Sequence, residues 1–152
     1  MNKLKLKIFI FGSILLFGTS ACTNVAKTSA DAPDQLNGQV KNSQTVEATR
    51  EDATNNTRQA QLNADIRSRE ERNNWFGDEE KRADSDLQSE VRAKLEANIP
   101  RSKLTVKAEN GKVFIVGTVP DQREYETIEP LAQEIKGVQA VSIDVKVVPP
   151  NK

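Results

Sequence analysis

The chain of 152 residues has no histidine and one cysteine. Without histidine it lacks the usual general base and the commonest metal ligand. A single cysteine, Cys22, allows no internal disulfide and no thiolate metal cluster. These absences argue against most hydrolytic, redox and zinc chemistry without excluding carboxylate chemistry, and no enzyme, metal site or cofactor is expected. Glu126 and Glu129 are the nearest pair of carboxylates by spacing, and they read as solvated helix charges. Charge of one sign is also missing, with 22 basic against 22 acidic residues. Removal of Lys3, Lys5 and Lys7 with a leader would leave 19 basic and 22 acidic residues, a net of −3. No strong field favours nucleic acid or an anionic bilayer.

The one long apolar run is too short to span a bilayer, for which about 20 residues are needed. It covers Ile8 to Phe17, interrupted by Gly12 and Ser13. Three lysines precede it, and the small residues Gly18, Thr19, Ser20 and Ala21 lead to Cys22. A basic start, a short apolar stretch and a small-residue cleavage site make a secretory leader over residues 1–21. Thr19-Ser20-Ala21-Cys22 resembles the lipobox of bacterial lipoproteins, with Thr19 where that family usually has leucine. The resemblance implies a diacylglycerol thioether on Cys22 and an acyl chain of the palmitate kind on its amino group. It further implies a membrane partner through that lipid. Each buried methylene adds about 0.8 kcal/mol of membrane affinity. Thr23 and Asn24 follow, with no aspartate directly after the cysteine. Within the lipoprotein family this implies the outer membrane, facing the periplasm, where the cell has one.

Residues 22–50 are polar, with Leu36, Val40 and Val46 isolated, and are expected to be a disordered tether. Residues 51–83 are rich in Glu, Arg, Gln and Ala, and are expected to be a helical linker. Asp65 and Arg69 lie at i, i+4 there, and Leu62 and Ile66 mark a thin apolar stripe. A stripe so narrow suits a marginal helix or one that leans on a partner. Trp75 and Phe76 stand beside a charged run from Asp78 to Arg82. Two readings apply to the pair, contact with a membrane interface or docking on the following domain.

Only residues 84–148 are dense enough in apolar residues for a core, with residues 149–152 as a tail. Leu87, Val91 and Leu95 recur every four positions, a helix opened by Asp84 or Ser85, with Ser85 and Gln88 spaced as a capping box and Pro100 as the stop. Leu104, Val106 and Ala108 alternate with Lys103, Thr105 and Lys107, giving a half-buried strand with a solvated outer face. Asn110-Gly111 suits a type I′ turn. The return strand has Val113, Ile115, Gly117 and Val119 on one face and Phe114 and Val116 on the other, so it is central or covered. A second helix is expected over residues 122–136, either kinked at Pro130 or regular only from Glu129, with Gly137 as its carboxy-terminal cap. A valine-rich strand, residues 140–148, follows. The fold class is α+β, ordered α-β-β-α-β, with a three-stranded mixed sheet under two helices.

These residues resemble the BON domain of bacterial envelope proteins. The resemblance rests on Asp86-Leu87, Asn110-Gly111-Lys112-Val113, Val116-Gly117-Thr118-Val119 and Lys136-Gly137-Val138-Gln139-Ala140-Val141. It implies a role in envelope integrity or stress tolerance through binding of phospholipid or an envelope protein, and no catalytic residues. The expected binding surface comprises Lys103, Lys107, Lys112, Phe114 and Val116, together with Trp75 and Phe76. The domain itself has 9 basic and 11 acidic residues. The alternative is an assembly module of a larger envelope complex, without direct lipid binding.

Overall fold

The computed structural model describes residues 25–40, 46–76 and 82–150. The leader, Thr19, Ser20, Ala21 and Cys22 lie outside these residues, as does the Phe76 side chain. Among the described residues no helix is long and apolar enough to cross a membrane.

The core grows from the expected periodicities. Helix α3, Asp84–Asn98, lays Leu87, Val91 and Leu95 inward and ends before Pro100 as anticipated. Strands β2 (Lys103–Glu109) and β3 (Lys112–Val119) pair antiparallel around Asn110 and Gly111. Both turn residues have positive φ, +51° and +75°, the backbone that a type I′ turn demands. Helix α4 (Gln122–Gln133) then crosses to β4 (Ala140–Val147), which runs parallel to β3. Leu104, Val106, Val113, Ile115, Val119, Ile128 and Ala132 close the core between sheet and helices. Each such aliphatic residue contributes about 1.5–3 kcal/mol by leaving water.

Helix α4 is regular well before Glu129. It starts at Gln122, runs through the proline and stops at Gln133, three residues short. Pro130 is exposed, and the carbonyl it cannot reach belongs to the exposed Glu126. The lost hydrogen bond therefore falls on the solvent side, where water can replace it. Gly137, with φ +91°, closes the turn after the helix rather than its last residue.

The capping box does not form. Ala83 occupies the N-cap of α3, without a side-chain cap. The Asp84 carboxylate instead accepts the N–H groups of Asn110 and Gly111, at 2.8 and 3.1 Å. Gln88 accepts the N–H of Ala108 at 3.2 Å. Both side chains thus hold the hairpin rather than the helix.

Among the described residues the sheet has four strands, in the order β1-β2-β3-β4, not three. Strand β1 is Ala26–Lys27, inside the stretch read as a loose tether. It pairs antiparallel with β2, Ala26 opposite Val106 and Lys27 opposite Thr105. Its ordering owes little to apolar residues. Thr28 donates its N–H to the Leu104 carbonyl and accepts the Leu104 N–H on its hydroxyl, both at 2.9 Å. The Thr105 hydroxyl donates to the Pro33 carbonyl. Backbone and hydroxyl bonds to an otherwise open edge replace the missing hydrophobic drive.

Among the described residues there are four helices, two of them, α3 and α4, within the domain. Helix α1 (Val46–Thr54) starts inside the stretch read as a disordered tether, and α2 (Asn56–Phe76) lies in the polar linker. Helix α2 leans on α3, burying Leu62. Around that leucine lies a ladder of ion pairs. Arg58 holds the buried Glu96 at 2.5 and 2.9 Å, Arg92 holds Glu96 at 2.9 Å and approaches Asp65 at 3.5 Å, and Arg69 bridges Asp65 and Asp86 at 3.1 and 2.6 Å. The partners run in opposite senses along the two helices, so α2 and α3 are antiparallel.

Candidate functional site at the hairpin end of the domain

The outer face of the sheet was the expected binding surface, and the structure splits it. Lys103 is buried, 1% exposed, with Nζ 3.7 Å from an Asp31 carboxylate oxygen. Burial lowers its ammonium below the usual lysine value, and Asp31 opposes that shift. Thr105 beside it is fully buried. Residues 28–33, coming after β1, cover this half of the face, which corrects the solvated reading of β2. Val116 is also buried, at 7% exposure, so it offers no open apolar surface.

Lys107, Lys112 and Phe114 do come together, at the hairpin end. Lys107 is the register partner of Phe114, and Glu109 that of Lys112. Lys112 Nζ stands 4.8 Å from the centre of the Phe114 ring, and Lys107 pairs with Glu109 at 2.5 Å. A cation over a half-buried ring near the surface contributes on the order of 1 kcal/mol. Trp75, at the end of α2, is 81% exposed, so it does not dock on the domain.

The same end carries an open cleft of about 500 Å³ lined by Arg82, Ala83, Asp84, Asn110, Gly111, Gly137 and Gln139. The hairpin turn forms one wall, fixed by Asp84 and by the Gln139 N–H donated to the Gly111 carbonyl at 2.9 Å. Arg82 forms the floor. It donates to the Lys136 carbonyl at 3.0 Å and to the Glu90 carboxylate at 2.5 Å, and both of these charged side chains are buried. Burial raises the Glu90 carboxyl above its ordinary value, while the hydrogen bond from Arg82 acts against that rise. Arg82 Nε and the second Glu90 oxygen have no hydrogen-bond partner among the described residues. The pair ties the start of α3 to the turn after α4 and so sets the shape of the cleft.

Sequence reasoning did not find Arg82, Glu90 or Gln139 as parts of a site. Arg82 read as the end of a charged run, and the Lys136 carbonyl it holds lies 54 positions away. No spacing rule links such residues. Glu126 and Glu129 are exposed and accept hydrogen bonds from Gln122 and Gln133 on their own helix, at 3.1 and 3.0 Å.

Residues 83–149 match the BON domain family. They form a BON domain. No curated protein and no solved structure shows significant similarity to the chain. The BON domain thus comprises α3, β2, β3, α4 and β4, while β1, α1 and α2 precede it in the chain and pack against it.

Proposed function

We propose that this chain is a bacterial envelope lipoprotein, held to a membrane by lipid on Cys22, whose BON domain binds phospholipid and supports envelope integrity or stress tolerance. The observation that carries this reading is the BON domain at residues 83–149, a family linked to phospholipid or envelope binding. The leader and the Thr19-Ser20-Ala21-Cys22 motif supply the anchor and the envelope location. Three or more acyl methylenes in a bilayer already contribute about 2 kcal/mol, and full chains far more. In a cell with two membranes the lipid belongs in the outer one, facing the periplasm.

Two measurements separate the parts of this proposal. Mass spectrometry of the mature amino terminus reads the anchor, and an unmodified cysteine in a soluble fraction would remove it. Flotation of a Cys22→Ala chain lacking residues 1–21 with phospholipid vesicles at low salt reads the domain. Flotation is expected to survive loss of the lipid, though weakened. If this chain stays at the bottom with every phospholipid class, direct lipid binding is abandoned.

A second reading, an assembly module within an envelope complex, is favoured by the free edge of β4. Among the described residues that strand is paired on one side only, by β3. An edge of this kind can accept a strand from a partner protein.

A further inference from the structure

We propose that the hairpin end of the BON domain faces the bilayer and that Trp75 lies in its headgroup layer, an orientation that rests on the lipid anchor at Cys22 proposed above.

Chain length and strand direction supply the first argument. Four residues carry the chain from Cys22 to Ala26, at most about 14 Å when fully extended. Ala26 is already fixed in the sheet, opposite Val106. Strand β1 is antiparallel to β2, so its amino-terminal end points toward Lys107, Glu109 and the hairpin. At about 3.3 Å per residue, Val106 stands roughly 10 Å from the end of β2 at Glu109, within the reach of that four-residue segment. The loose tether expected from composition would have left the domain free to tumble, whereas β1 denies it that freedom.

The antiparallel packing of α2 supplies the second argument. Arg69 meets Asp86 near the start of α3, and Asp84 holds the hairpin turn. The carboxy-terminal end of α2 therefore shares the hairpin end. Glu70 and Asn74 border a small concavity together with Arg82 and Lys136, and Arg82 also floors the hairpin cleft. Trp75, the only tryptophan in the chain, follows Asn74 and is 81% exposed. An indole pairs an apolar body with one N–H donor, which suits a headgroup layer better than bulk water.

Charge selects the kind of surface. Lys107, Lys112 and Lys136 belong to this end, but so does Glu109, and Asp78, Glu79 and Glu80 follow Trp75 in the sequence. Little net attraction to anionic lipid remains, and the surface that fits is a zwitterionic phospholipid bilayer. The opposite end is a closed polar cluster, in which Arg101 bridges Asp121 and Glu124 at 2.5 and 2.6 Å.

The single tryptophan makes the test direct. The mature, lipid-bearing full chain is placed in phosphatidylcholine vesicles, and the emission of Trp75 is recorded with brominated phosphatidylcholine and with aqueous iodide. Relative to the unlipidated Cys22→Ala chain in buffer, emission should shift to the blue. Quenching by bromine should be strong and quenching by iodide several-fold weaker. A double variant, Trp75→Phe with Arg123→Trp, moves the indole to the opposite end and should show the reverse. Mass spectrometry and flotation of the same sample read the anchor separately. A chain that carries the lipid and floats, yet leaves Trp75 open to iodide and untouched by bromine, overturns the orientation alone. Equal bromine quenching at positions 75 and 123 does so as well. A chain without lipid that fails to float overturns the anchor, and the orientation with it.

Discussion

Replacing Gly117 by alanine should be among the most damaging single changes in this domain, and its cost can be worked from the backbone. Gly117 sits in β3 opposite Leu104, with φ +136°, a conformation that residues with a side chain rarely adopt. Forcing such a residue into an unfavourable backbone region costs about 1–3 kcal/mol. A β-carbon there would also stand 2.0 Å from the Lys103 carbonyl oxygen and 3.2 Å from the Leu104 Cα. These are backbone atoms of the paired strand, so no rotamer change relieves them. The ladder between β2 and β3 must shift, at a typical overpacking cost of about 1–3 kcal/mol. Together these give about 2–6 kcal/mol, a large part of the roughly 5–15 kcal/mol that holds most domains folded. Gly111→Ala is the internal control. Its φ is +75°, but its β-carbon would meet only the Gln139 side chain, at 3.0 Å, which can move. Its cost should stay near the left-handed penalty of about 1–2 kcal/mol. Urea unfolding of the two variants, followed by circular dichroism, measures both. Equal midpoints for the two variants, or a Gly117→Ala midpoint above that of Gly111→Ala, would refute this reasoning.

Two further perturbations test the charged parts. The Glu90 carboxyl is raised chiefly by burial, so the folded state binds its proton more tightly than the unfolded chain does. Its contribution to stability is then full below the unfolded value of about 4.3 and is lost as pH rises through the higher folded value. Asp121 has the opposite sign, because the Glu124 N–H holds its carboxyl down, and its contribution fades as pH falls through the folded value. Relative to Glu90→Gln, the natural chain should therefore lose stability as pH rises above about 4.3, measured by urea midpoints across pH. A difference that grows with pH would mean that the Arg82 bond outweighs burial. Arg58→Ala removes one of two arginines on the buried Glu96, and the remaining Arg92 limits the cost to about 1–2 kcal/mol. Hydrogen exchange should then quicken across residues 56–76 while β3 stays protected, and unchanged exchange in α2 would argue against docking through this pair.

Much of the BON domain is written in short-range pattern. Asn110-Gly111 specifies its turn because both residues tolerate positive φ, and Pro100 stops α3 because the residue before a proline is pushed out of helical angles. The alternation of β2 and β3 places Leu104, Val106, Val113 and Ile115 on one face, where they are buried. The candidate site was legible only in part. Lys107, Lys112 and Phe114 adjoin through hairpin register, which the turn dictates. Arg82 lines the cleft, held by Glu90 and the Lys136 carbonyl through contacts that no local pattern encodes.

What the sequence by itself determined is the core of the domain and its chemical poverty: periods of two and of four, one turn, and no histidine. Only the tertiary structure decided what covers that core and which way it points. A two-residue strand has no period to detect, yet β1 docks because an open sheet edge offers backbone partners to any chain that passes, and residues 28–33 after it cover Lys103 and Thr105. Helix α2 shows a single buried leucine, and its docking comes from arginines and carboxylates whose partners lie on another helix. Asp84 looks like a helix cap in sequence and becomes a hairpin clamp, since the turn 26 residues away presents two N–H groups to it. Local pattern reports which face of an element leaves water; long-range hydrogen bonds and ion pairs choose the neighbour, and those depend on where the whole chain has already gone.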